Sequence, residues 1–199
     1  MVSSTRARSS ATRVVLIGPA GAGKTTALGV AVEVLRGIGW SGDIISIEEC
    51  QREVCPRGRE DGTYFYDSDG ALVLLKREEQ AAAARERFVE RLGAALHRGF
   101  VAELGQPQAS GFLIERLSPV LDGVLVLHVT APLSVRKQRN ECRTDLRMPD
   151  AVLTWIEEQL TPDSVDRLKK LGAIVRNVDS NVPLQAFLED VRTLTKGIA

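Results

Sequence analysis

The residues Gly18-Pro19-Ala20-Gly21-Ala22-Gly23-Lys24-Thr25 constrain this chain more than any other feature. They satisfy the pattern G-x-x-x-x-G-K-[ST], and they stand between the apolar run Val14-Val15-Leu16-Ile17 and a helical pattern over Thr25 to Arg36. A strand, a glycine-rich turn and a helix in that order are the context in which this pattern builds a phosphate-binding loop. From ordinary residue frequencies, a chance match somewhere in a chain of this length has a probability of roughly one in 150. The glycines let successive backbone N–H groups turn inward as an anion nest, and the helix adds its dipole and its unsatisfied first-turn donors. The expected ligand is a polyphosphate, ATP, bound with Mg²⁺. The nucleotide-binding residues expected are Gly18, Gly21, Ala22, Gly23, Lys24, Thr25 and Thr26. Lys24 is placed to lie along the β and γ phosphates, Thr25 to offer its hydroxyl to the metal, and Thr26 to hold the α or β phosphate.

Around this motif, short β-branched or apolar runs alternate with helical patterns, the sign of βαβ units in a parallel sheet. Strands are predicted at Arg13–Ile17, Asp43–Ile47, Gly99–Ala102, Val124–Val129 and Ala173–Asn177. Helices are predicted at Thr25–Arg36, Ala81–His97, Leu133–Arg143, Ala151–Leu160 and Leu184–Leu194. The expectation is an α/β chain: a three-layer phosphate-loop NTPase fold with a five-stranded parallel sheet and a small Arg-rich lid. Residues 1–12 read as a disordered tail and 13–199 as one domain, with an insertion or acceptor region at 55–80 and the lid at 136–150. Within the insertion, Pro56, Gly58, Gly62 and Asp67-Ser68-Asp69-Gly70 read as loop.

Composition narrows the function classes. The 199 residues carry 26 Lys+Arg against 26 Asp+Glu, which removes the whole-molecule basic field of a non-specific nucleic-acid binder. No stretch reaches the roughly 18 apolar residues of a spanning helix, so no membrane partner is expected. Three cysteines, Cys50, Cys55 and Cys142, without a C-x-x-C pair, fit reduced thiols and a cytoplasmic location.

A phosphate loop does not by itself select a reaction; the other strand ends do, since ligands of open α/β sheets gather there. The second strand leads into Ser46-Ile47-Glu48-Glu49, with Arg52 one helical turn beyond Glu48. Glu48 is a candidate base or ligand for an acceptor hydroxyl and Arg52 for an acceptor phosphate; the pair also fits a surface i,i+4 ion pair. Glu103, after Phe100-Val101-Ala102, is a candidate for touching the acceptor or for orienting Mg²⁺ through water. Residues 136–147 hold Arg136, Lys137, Arg139, Arg143 and Arg147 against Glu141 and Asp145. In a helix, Arg136, Arg139 and Arg143 share one face, and such a guanidinium cluster can close over transferring phosphates. His128, inside a strand, reads as a half-buried histidine.

These residues resemble the nucleoside-monophosphate-kinase-like group of phosphate-loop kinases, and within it the dephospho-CoA kinases. The resemblance rests on Gly18–Thr26, on Val129-Thr130-Ala131-Pro132-Leu133 followed by Arg139 and Arg143, on Gln159, and on Gly172-Ala173-Ile174-Val175-Arg176-Asn177 with Ser180. It implies that Arg139 packs on the adenine, that Arg143 meets the phosphates, and that the loop after Asn177 borders the base. The chain departs from that pattern at the second strand, where Ser46 and Glu48 replace a D-x-D pair, and at 55–82, which does not look like a CoA-binding region.

The reading that follows is an ATP-dependent kinase transferring the γ-phosphoryl group to a small nucleotide-like or dephospho-CoA-like acceptor. Lys24, Glu48, Arg139 and Arg143 are its catalytic candidates. One alternative is a kinase acting on a base or an end of nucleic acid, with Tyr64, Phe65 and Tyr66 stacking bases. The other is a nucleotide-gated regulatory ATPase without an acceptor.

Overall fold

The computed structural model describes residues 12–54, 64–66, 72–75, 78–105, 116, 118, 121–143, 148, 150–158 and 163–198. Residues 1–11 of the tail expected over 1–12, most of the 55–80 insertion, residues 144–147 of the expected lid, and Gln159 lie outside them.

Apolar residues at successive positions of one strand are buried only when both faces of a sheet are covered. Val14, Val15, Leu16 and Ile17 are all buried, and the strand that contains them, β1 (Arg13–Gly18), is the centre of the sheet. The other strands are β2 (Asp43–Ser46), β5 (Phe100–Gly105), β6 (Leu125–Thr130) and β7 (Ile174–Asp179). The five run in the order β2-β5-β1-β6-β7, with every neighbouring pair parallel. The expected α/β sheet is therefore observed.

Alternation along the strands divides the core into two apolar layers. Val14 and Leu16 of β1, Val101 of β5, Leu125, Leu127 and Val129 of β6 and Val178 of β7 face one way. They pack on Ala27, Val30, Ala31 and Leu35 of α1 (Lys24–Gly37) and on Phe187 and Val191 of α7 (Leu184–Lys196). Val15, Ile17, Ile45, Ala102, Leu104, Val126 and Val175 face the other way. Against them pack Ile47 and Cys50 of α2 (Ile47–Val54), Phe88, Leu92 and Ala95 of α3 (Glu78–Ala95), and Leu168 of α6 (Asp163–Lys170). Phe88 and Leu92, one helical turn apart on α3, are both fully buried, and Leu96 packs partly buried beside them. The remaining helices, α4 (Leu133–Glu141) and α5 (Asp150–Glu158), follow β6.

Three boundaries differ from expectation in ways that move site residues. The second strand ends at Ser46 and Ile47 already starts α2, so Glu48 lies in a helix's first turn directly after the strand. The third predicted strand runs on to Gly105, which places Glu103 inside it. The last runs to Asp179, which places Asn177 in mid-strand rather than at a loop. Part of the expected insertion loop is an antiparallel hairpin, β3 (Tyr64–Tyr66) with β4 (Leu72–Leu75). Helices α2 and α6 were absent from the sequence reading; both are short and polar, so neither shows a long apolar period. Among the described residues, no helix is long and apolar enough to cross a membrane.

Candidate nucleotide site

The glycine-rich loop links the end of β1 to the start of α1, as the motif requires. Gly18 has φ +152°, and a Cβ there would lie 2.1 Å from the Val129 carbonyl oxygen, so no side chain fits. Gly23 is the N-cap of α1, and Ala22 is buried behind the loop. Thr25 and Thr26 are exposed in the first turn of α1.

Strand parity explains what lies under that turn. Val101 faces α1, and Glu103, two residues on, continues the same row to the strand end. The Thr25 hydroxyl donates to Glu103, with Oγ1 3.0 Å from Oε1 and 3.2 Å from Oε2. Burial pushes the Glu103 carboxyl above its ordinary pKa; Glu48 adds to this, while Lys24, the Thr25 hydroxyl and Arg143 oppose it. Burial also pushes the Lys24 ammonium below the usual lysine range, against the pull of Glu103 and Glu48 and with the push of Arg143 and Arg136. Lys24 Nζ donates to the Pro19 carbonyl at 3.1 Å, across the base of the loop. Lys24, Thr25, Glu103, Glu48 and Arg143 thus form one electrostatic group.

Glu48 and Arg52 form the surface pair that their spacing allows, at 3.9 Å, with side chains 54% and 64% exposed. A pair so open contributes only a few tenths of a kcal/mol, and an incoming ligand can displace it. The back of α2 is held more firmly, with Glu49 and Glu53 paired to Arg91, and Glu53 also to Arg87, of α3.

The arginines after β6 divide. Arg136 is fully buried: its Nε donates to the Ala131 carbonyl at 3.2 Å, Nη1 to the Ala20 carbonyl at 3.4 Å, and Nη2 to the Glu157 carboxylate. The expectation that Arg136 joins an open cluster over the phosphates is corrected: its face of α4 lies against the outer wall of the loop. Arg139 is half-buried, with Nη1 2.8 Å from Ser180 Oγ and 3.4 Å from the Gly21 carbonyl. Arg143 lies just past the end of α4 and is exposed.

Asn177 is not at the loop implied for it. It has the parity of Val175, on the sheet face away from α1, and its Oδ1 is 3.2 Å from His128 Nδ1 on β6. Burial lowers the His128 pKa and the Asn177 contact partly restores it. The chain that meets the phosphate loop is the next turn. Ser180 Oγ donates to the Thr130 carbonyl at 3.0 Å, and a Cβ on Gly23 would lie 3.7 Å from both Ser180 Cβ and Phe187. Sequence reasoning missed Phe187 and Glu157; only the helical spacing of Phe187 and Val191 could have marked the former.

A magnesium ion takes hard oxygen ligands, commonly one or two from protein and the rest from phosphate and water. The Thr25 hydroxyl and the Glu103 carboxylate fit that donor set. Among the described residues no cluster of three or more His, Cys, Asp or Glu forms a metal cage, which such a shared site does not need.

No protein-family model matches the chain, and no curated protein matches it. Solved structures do share its fold. A gluconokinase from Sinorhizobium meliloti superposes with a TM-score of 0.60 at 18% identity, over 96% of this chain and 94% of that one. A sugar kinase from a Janibacter species superposes with a TM-score of 0.64 at 16% identity, over 95% of this chain and 98% of that one. The chain therefore has the fold of phosphate-loop kinases.

Proposed function

We propose that this protein is an ATP-dependent phosphotransferase that moves the γ-phosphoryl group of ATP to a hydroxyl of a small acceptor. The observation that carries the reading is the grouping of Lys24, Thr25 and Glu103 at the mouth of the loop, with Glu48 close enough to act on the lysine's charge. Inward amides and the α1 N-terminus bind the phosphates, and Lys24 neutralises charge on the transferred group. Thr25 and Glu103 are the residues that would hold magnesium, which would supply further charge neutralisation. Arg143 adds a positive charge from just past the end of α4, and Arg139 with Ser180 forms the wall beside which the base lies.

The acceptor lies over the first turn of α2. Glu48 accepts a hydrogen bond from its hydroxyl, positions that oxygen in line and takes its proton as the new P–O bond forms and ADP leaves, and Arg52 holds a negative group on the same molecule. An acceptor with both a hydroxyl and an anionic group displaces the weak Glu48–Arg52 pair with little loss. Two structures of the same fold are named for gluconate and sugar, which favours a polyhydroxylated acid over the nucleotide-like or dephospho-CoA-like acceptor implied by the sequence resemblance.

The test is a coupled ADP-release screen with gluconate and other sugar acids, neutral sugars, nucleoside monophosphates and dephospho-CoA, with Lys24→Ala as blank. Stimulation by a sugar acid, lost in Glu48→Gln, supports the reading. Stimulation by dephospho-CoA or a nucleotide alone replaces the acceptor and keeps the reaction. A panel in which nothing raises ADP release above the blank defeats both.

A further inference from the structure

A nest that points its N–H groups at an anion must point the carbonyls of the same peptides outward, and those carbonyls need partners too. In this loop two successive carbonyls each receive an arginine donor from α4, Ala20 from Arg136 and Gly21 from Arg139, while the Pro19 carbonyl accepts Lys24 Nζ and the Ala22 N–H. Hydrogen bonding at a carbonyl polarises its whole peptide unit, so a cation behind the Ala20 carbonyl makes the Gly21 N–H a stronger donor on the other side.

Arg136 differs from the other two because it is 0% exposed and joined to a second helix. Its guanidinium spans the Ala131 carbonyl before α4, the Ala20 carbonyl of the loop and the Glu157 carboxylate of α5. The α4 backbone also touches the loop directly. A Cβ on Gly21, where φ is +77°, would meet the Arg136 carbonyl oxygen at 3.1 Å and its Cβ at 3.2 Å. The two helices are tied again beyond this point. Asn140 exchanges two hydrogen bonds with the Met148 backbone, at 2.6 and 2.8 Å, and Lys137 pairs with Asp150 at 3.2 Å. Burying a guanidinium against one half-exposed carboxylate is a poor source of stability. A planar fork with several fixed donors is a good source of geometry.

We propose that Arg136 is a positioning residue for the phosphate loop, and that Glu157, on a different helix from any residue facing the phosphates, sets nucleotide affinity by holding the Arg136 fork against the Ala20 carbonyl. The inference rests on the reading of the loop as a nucleotide site. It assigns to the α4–α5 pair a role in shaping the loop from outside, distinct from any contact with the transferred group.

Isothermal titration calorimetry with MgATP and with MgADP, which needs no acceptor, tests it. Glu157→Gln removes the charge that holds the fork while keeping an exposed side chain of the same shape. The expected result is about tenfold weaker binding of both nucleotides, on the scale of one charge-assisted hydrogen bond. Glu158→Gln, the same charge change one residue on, binds as wild type does. Arg136→Lys, which keeps the charge but not the fork, does not restore affinity. Thermal melting of each variant without ligand separates the alternatives. A lowered melting temperature with both dissociation constants within about twofold of wild type makes the pair purely structural and overturns the proposal. If Arg136→Lys fails to fold, Glu157→Gln against Glu158→Gln decides alone. Wild-type protein that binds neither nucleotide defeats the reading of the loop itself, an outcome distinct from variants that bind normally.

Discussion

Replacing Glu103 with Gln keeps the shape under Thr25 and removes one buried charge, and its effect on stability has a sign that the structure fixes. Burial dominates this carboxyl and raises its pKa above the ordinary 4.5. Between the unfolded value and the higher native value, the native state holds a proton that the unfolded chain has released. The stabilisation is complete below the unfolded pKa and is lost as pH rises through the native one, with a limiting slope of about 1.4 kcal/mol per pH unit for one proton. Glu103→Gln has no such proton. Urea unfolding of both proteins without nucleotide, followed by the fluorescence of Trp40 and Trp155 from about pH 4 to about pH 8, isolates the difference. Wild-type stability minus variant stability should fall with pH and then level off once Glu103 is ionised. A difference that stays flat or rises with pH refutes the reasoning, because Lys24 and the Thr25 hydroxyl would then outweigh burial. Transfer activity should fall about a hundredfold in the same variant, the usual scale for removing one organised electrostatic contact.

Lys24→Met should abolish transfer and also erase a slope on the alkaline side. The native lysine pKa lies below its ordinary 10.5, so the stability it contributes is present above the unfolded value and lost as pH falls through the native one. Wild type therefore gains stability with rising pH in that window, and urea midpoints of the variant should show no such gain. Arg143→Ala should lower turnover while MgATP binding by calorimetry stays near wild type; unchanged turnover removes Arg143 from the mechanism. Gly18→Ala places a Cβ 2.1 Å from the Val129 carbonyl oxygen, so β1 and β6 must separate locally, and chemical denaturation should show a loss of about 2 kcal/mol or more.

What the sequence conveyed depended on whether a residue's role follows from its neighbours in the chain. Gly18 to Thr25 are contiguous, so loop, helix start and ligand chemistry all follow from local order. Phe88 and Leu92 declare their burial by period alone. Glu103 was legible as a candidate, but its partner was not. The contact with Thr25, 78 positions away in sequence, depends on β5 lying beside β1. Asn177 failed for the opposite reason, since two further residues of β-structure, Val178 and Asp179, turn a loop border into a mid-strand position on the other face. Arg136 was misjudged because period assigns residues to a face without saying what the face meets. An arginine stripe signals solvent by default, and only the docking of α4 on the loop reverses that.

The outward carbonyls and the inward charges together say how the site waits for its ligand. Lys24, Arg136, Arg139 and Arg143 converge on a loop built to hold anions, and four cations without counter-charge would repel one another. Glu103 and Glu48 favour the charged form of Lys24, and Glu157 does so for Arg136. On the proposed reading, Glu103 and Glu48 take the electrostatic place that phosphates take on binding. They do not block it, because Glu103 lies under the first turn of α1 and Glu48 is exposed at its edge. In the proposed function, a polyphosphate therefore enters a site whose positive charge is already arranged. Its binding energy goes into contacts rather than into collecting the cations, which is the condition under which electrostatic stabilisation of a transferring phosphoryl group is most effective.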